Sequence, residues 1–120
     1  MSLDWRSGAL AKGLACYQQG EFFEAHEHWE AVWLGLNEPE RSFLQALIQM
    51  AAAFHHLNRG NSAGSISLLK RTLRRLESCP ESFGGISLSR LRSEVRDWIC
   101  ALEAKDAVRP DLVPGITPMA

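Results

Sequence analysis

Residues 20–34, GEFFEAHEHWEAVWL, leave a chain few ways to fold. No glycine or proline interrupts the run after Gly20, so it reads as an amphipathic helix of about four turns. At roughly 100° per residue, Trp29, Phe22, Trp33, His26, Glu30, Phe23 and Leu34 follow one another around one arc. His26 and Glu30 therefore fall inside an aromatic face, with Glu27 at its margin, while Glu24 and His28 point into solvent. An imidazole and a carboxylate turned toward a core are costly unless they pair or bind something. The stretch predicts a helix that others must cover, and it marks a place for a site.

The flanking segments repeat the helical period. Leu10, Leu14 and Tyr17 mark a first helix over residues 4–19, weakened by Gly8 and Gly13 and broken by Gly20. Pro39 suits the first turn of a third helix, residues 40–59, which is apolar nearly all round and so belongs at the centre. Its polar exceptions are ordered: Gln45, Gln49 and His56 share a stripe with Ala52, and His55 faces elsewhere. Gly60 reads as a left-handed cap, with Asn61 or Ser62 capping the next helix. Ile66, Leu69, Leu73 and Leu76 form the expected core stripe of that fourth helix, with Lys70, Arg71, Arg74 and Arg75 off it. After a loop at residues 79–85, Ser87 or Ser89 opens a fifth helix buried through Leu91, Val95, Trp98 and Leu102. Trp29, Trp33, Leu47, Ile48, Leu69 and Leu73 are the expected core of the central helices.

No strand pattern is visible, and the expected fold is all-α without a sheet. It is a compact bundle of about five helices built from two stacked helical hairpins. Residues 1–107 form the helical domain. Residues 108–120, with three prolines, form an extended tail or a packed arm. The turn at Gly20 is echoed at Gly60, which suggests the paired hairpins.

At 120 residues, 46% hydrophobic and 22% charged, the chain suits one soluble domain with a sizeable core. A net charge of −1 argues against a dedicated nucleic-acid binder. No apolar run reaches the roughly 18 residues that cross a bilayer, and residues 1–13 lack a signal-peptide core, so a cytoplasmic location is expected. Cys16, Cys79 and Cys100 read as reduced, buried thiols.

Two separated segments, GEFFEAHEHWEAVW and FLQALIQMAAAFHHLNRGNSAGSISLL, carry a resemblance. They are similar to domain-of-unknown-function family 309, small bacterial and archaeal proteins with a pattern like G-x-[FY]-x-E-A-H-E-x-x-E-x-x-W. A pattern like L-Q-x-L-I-Q-x-A-x-x-x-H follows it and closes on G-N-x-x-G. The likeness runs over roughly residues 10–88. It implies a compact all-helical fold and names no activity. By this resemblance the family's polar positions fall on Glu24, His26, Glu27, Glu30, Gln45, Gln49, His56, Gly60, Asn61 and Gly64. Ser65 and Ala46 depart from it, at positions where alanine and glycine are usual.

Two functional readings follow. In one, the domain binds or scaffolds a protein or small molecule and contains a polar cluster of His26, Glu27, Glu30, Gln45, Gln49 and His56. Such a network fixes helix register. In the other, His26, Glu30 and His56 hold a divalent metal (zinc, iron or manganese) in a hydrolase-like enzyme. The metal-free reading is favoured. HEHWE lacks the last histidine of the zincin HExxH, and the repeated ExxH of di-metal bundles is missing. A tetratricopeptide-like skeleton supports interaction, although the echo departs from that repeat's ~34-residue period. Homo-oligomers fit either reading, and nucleic acid and membrane partners do not. The arginines of the fourth and fifth helices are taken as a solvated face.

Overall fold

A computed structural model describes residues 3–105, 110 and 112–118. In chain order the helices are α1 (Gly8–Gln18), α2 (Phe22–Trp33), α3 (Glu40–Asn58), α4 (Ser62–Glu77) and α5 (Leu88–Glu103). Each helix packs on the next one in the chain. The fold is all-α, and α1–α2 and α3–α4 are its two hairpins.

Both hairpins reverse through the same turn. Gly20 and Gly60 each sit at φ +81°, a left-handed conformation that glycine adopts without a Cβ penalty. The Gly20 amide donates to the Tyr17 carbonyl at 3.1 Å, and the Glu21 amide donates to Cys16 at 2.8 Å. Gly60 and Asn61 repeat the pattern on Leu57 and His56, at 3.0 and 2.9 Å. These are paired Schellman bonds, which satisfy the last free carbonyls of a helix.

The all-helical expectation needs one local amendment. Ser82–Phe83 (β1) and Ile86–Ser87 (β2) pair antiparallel across a tight turn, with Phe83 opposite Ile86. Two-residue strands are too short to show an alternating pattern, so nothing in the sequence announced them.

The core centres on α3, where Phe43, Leu44, Ala46, Leu47, Ile48, Met50, Ala51, Ala53 and Phe54 are all buried. Around it runs a chain of ring contacts from Trp5 to Trp29, Tyr17, Phe22, Phe54 and Trp98, with successive centroids 5.1–6.2 Å apart. Pairs of this kind contribute about 0.5–1.5 kcal/mol beyond their buried area. The closest approach is at Gly13. A Cβ there would lie 2.4 Å from the Trp29 indole nitrogen, so this glycine is a packing requirement rather than a weak point. The same indole donates to the Leu10 carbonyl at 3.2 Å.

Two helices are rotated from their expected faces. On α2 the buried residues are Phe22, Ala25 and Trp29. Trp33 is half-buried, its indole donating to the Arg41 carbonyl at 3.0 Å, and Leu34 is exposed. On α4 the buried residues are Ser65, Leu69, Thr72 and Leu76, with Ile66 and Leu73 at the margin. The reason is common to both. Small side chains let a neighbouring helix come close, so Ala25 and Ser65 fix the contact line although neither is strongly apolar. Thr72 tolerates burial because its hydroxyl donates to the carbonyls of Leu68 and Ala46, at 3.0 and 3.2 Å. Cys100 is exposed, contrary to expectation, while Cys16 and Cys79 are half-buried.

The described residues of the C-terminal arm lie against the helices. The buried Tyr17 hydroxyl donates to the Pro114 carbonyl at 2.7 Å, and Trp98 donates to the Leu112 carbonyl at 2.9 Å. The Gly115 amide donates to Glu94 at 3.0 Å, Ile116 is buried, and Pro118 bridges to Ile86. The expected domain limit at 107/108 lies outside the described residues. No helix among those residues is long and apolar enough to cross a membrane.

Candidate functional site

One turn of α2 separates His26 from Glu30, and the imidazole Nε2 stands 3.2 Å from the Glu30 carboxylate. With a proton on Nε2 toward the carboxylate, a neutral imidazole presents Nδ1 as an acceptor. That Nδ1 is buried and has no hydrogen-bond partner among the described residues. The pair lies at the edge of the buried face rather than inside it: the His26 side chain is 30% exposed and that of Glu30 is 51%. The rotation of α2 toward Ala25 accounts for this. Glu27 is exposed on the outer side of α2.

Facing His26 across the helix contact is the C-terminal half of α3. Phe23, His26, Ala52, His55 and His56 line a cleft of about 180 Å³. The Phe23 ring lies 6.2 Å from His26, in stacked orientation, and 5.4 Å from His55. Phe23 itself is 46% exposed. Ala52 makes the gap, being the small residue one turn before both histidines. His56 accepts at Nδ1 from the Asn61 side-chain amide at 3.3 Å, and Asn61 in turn caps α4 by accepting from the Gly64 amide at 2.9 Å. One histidine of the cleft is thereby tied to the turn that follows it.

Gln45 and Gln49 are drawn elsewhere. Gln49 accepts from Arg75 Nε at 3.2 Å, and Gln45 borders a small hollow with Trp33, Arg41 and Arg75. The expected set is divided: His26, Glu30 and His56 sit at or near the cleft, the two glutamines face the arginines of α4, and Glu27 joins neither. His55 enters the cleft although the sequence placed it on another face, and Phe23, expected on the arc of His26, enters it too. The signal for His55 was Ala52, whose neighbours on the next turn are both His55 and His56.

Among the described residues, no group of three or more His, Cys, Asp or Glu side chains is arranged to hold a metal ion. Of the three expected ligands, His26 and Glu30 are turned to each other and His56 to Asn61.

Residues 10–68 match the family model described as Domain of unknown function (DUF309). These residues belong to that family. An uncharacterized protein of Aquifex aeolicus (strain VF5) is 33% identical over 89 residues, which cover 73% of this chain and 27% of the relative. The chain therefore spans only about a quarter of the length of that curated relative. The DUF309 segment holds the α1–α2 hairpin, α3, the twin glycine turns and every residue of the cleft. It stops before Arg71, Arg74 and Arg75.

Proposed function

We propose that the protein is a binding domain whose cleft between α2 and α3 receives one apolar side chain of a protein partner. The observation that carries this reading is the size and lining of the cleft. At about 180 Å³ it falls below the roughly 300–1,000 Å³ of small-molecule sites, yet it has room for a single aromatic or branched aliphatic group. Phe23 offers a half-exposed ring beside it, which extends the apolar lining that an incoming side chain would touch. The unpaired Nδ1 of His26 adds one acceptor for a donor on the incoming group, such as an indole N–H.

The test is a backbone-amide NMR titration with N-acetyltryptophanamide and N-acetylleucinamide. Such small ligands should bind with millimolar affinity and move the signals of Phe23, His26, Ala52, His55 and His56. Filling the gap with Ala52→Leu should remove the response while leaving the fold intact. Shifts that scatter over the surface, or that survive Ala52→Leu, would discard this reading. The metal-dependent hydrolase, the alternative, requires Glu30 and His56 to leave their present partners. A rise in melting temperature with zinc, abolished by His26→Ala, would favour it instead.

A further inference from the structure

A second concavity lies farther along α3, where that helix packs on α4. Arg71, Arg74 and Arg75 of α4, Ser78 at its C-terminal end and Gln49 of α3 line a hollow of about 490 Å³. The positions from Arg71 to Ser78 span roughly 10 Å at 1.5 Å per residue. Gln49 holds Arg75 through its Nε, which fixes the plane of the guanidinium and leaves its terminal amino groups to donate elsewhere. The adjoining hollow shares Arg75 and adds Arg41, whose guanidinium carbon stands 3.9 Å over the Trp33 ring.

Among the described residues, Arg71, Arg74 and Arg75 make no ion pair. The four ion pairs among the described residues join His26 to Glu30, Lys70 to Glu103, Arg90 to Glu94 and Arg96 to Glu77. Glu38, in the adjoining hollow, is engaged by the amide and hydroxyl of Ser42 at 2.7 and 2.6 Å. Those bonds first, and Arg41 and Arg75 second, hold its carboxyl below the usual range. In a chain of net charge −1 the cluster is a local concentration, not part of a generally basic surface. Cations in the last turn of a helix complement its dipole, which suits Arg74 and Arg75. It explains neither Arg71, a full turn earlier, nor the grip of Gln49 on Arg75.

We infer that the α3–α4 hollow binds a phosphate group, or two linked phosphates, carried on a small molecule. Guanidinium forks match phosphate oxygens in pairs, and the bonds are charge-assisted. The volume lies within the small-molecule range, and a 10 Å row accommodates one or two phosphates rather than a nucleic-acid tract. The hollow is separate from the cleft of α2 and α3, and its anion binds whether or not that cleft takes a partner.

The experiment is isothermal titration of the full chain with inorganic pyrophosphate at low ionic strength, where surface charges are least screened. Saturable one-to-one binding is expected. Arg71→Gln and Arg75→Gln should each weaken it about tenfold, since each removes charge-assisted hydrogen bonds to the phosphate oxygens. Arg90→Gln, the same charge change on exposed α5, should leave it unaltered. Thermal melts by circular dichroism verify that each variant is folded, and the exposed Arg71 carries the test if Arg75→Gln is not. Absence of saturable binding, or an equal loss in Arg90→Gln, overturns the inference. So does a short RNA or an oligoglutamate peptide that binds the same arginines more tightly than pyrophosphate, since the hollow would then serve a polymeric anion.

Discussion

Gly20 and Gly60, Ala25 and Ser65, Trp29 and Leu69 occupy matching positions in the two hairpins, and the backbone treats each pair alike. The glycines share one φ value, and the other four residues are fully buried. The side chains then diverge. The α1–α2 hairpin closes over a large aromatic residue accommodated by Gly13, whereas α3–α4 closes over Leu69 with Ala53 at the matching place. The second hairpin also carries Arg71, Arg74 and Arg75 on the outer side of α4. One turn geometry can therefore support two different packings, one closed over an indole and one over a leucine.

The sharpest break of this contrast is truncation of the two matching core residues. Trp29→Ala should cost about 3–5 kcal/mol and Leu69→Ala about 2–5, with Trp29 the larger because it also loses its bond to the Leu10 carbonyl. Urea unfolding measures both, and a larger loss at Leu69 would reverse the assignment of roles. Next comes the glycine. Gly13→Ala should destabilise by about 1–3 kcal/mol through overpacking, and the reciprocal Ala53→Gly by about 1 kcal/mol through helix propensity. If Gly13→Ala were neutral, the close approach would not constrain the first hairpin.

Smaller effects sharpen the turn comparison. Asn61 caps α4 through its side chain, while Glu21, at the matching place with similar φ and ψ, makes no such bond. Asn61→Ala should cost about 1 kcal/mol and Glu21→Asn should gain somewhat less, both read from melting temperatures. The smallest change is Ser65→Ala, which copies Ala25. The Ser65 hydroxyl is buried without a hydrogen-bond partner among the described residues, and relieving it should raise stability by up to about 1 kcal/mol. A clear loss would mean that this hydroxyl has a partner after all.

Sequence alone was a good guide wherever the determinant is local. The apolar girth of α3, the left-handed cap at Gly60 and the buried face of α5 all follow from period and turn chemistry within a few residues. It failed where the determinant is a neighbour. Hydrophobicity weights a helix face by its large residues, so Phe23 and Leu34 pulled the expected arc of α2 toward His26 and Glu30. The real contact line follows Ala25, the place where another helix can approach. The same rotation moved the His26–Glu30 pair to a rim and separated Gln45 and Gln49 from it. Arg71, Arg74 and Arg75 resembled a solvated face because the concavity beside them depends on α3, which their spacing cannot reveal.

The bond from Tyr17 to Pro114 sets an order of events during synthesis. Both glycine turns, and the helix pairs they join, are complete by residue 77. The Tyr17 hydroxyl must wait for a carbonyl 97 residues later. On a ribosome adding about 5–20 residues per second, that donor spends about 5–20 s without its native acceptor. During that interval the face of α1 that carries Tyr17 waits for the arm that later covers it.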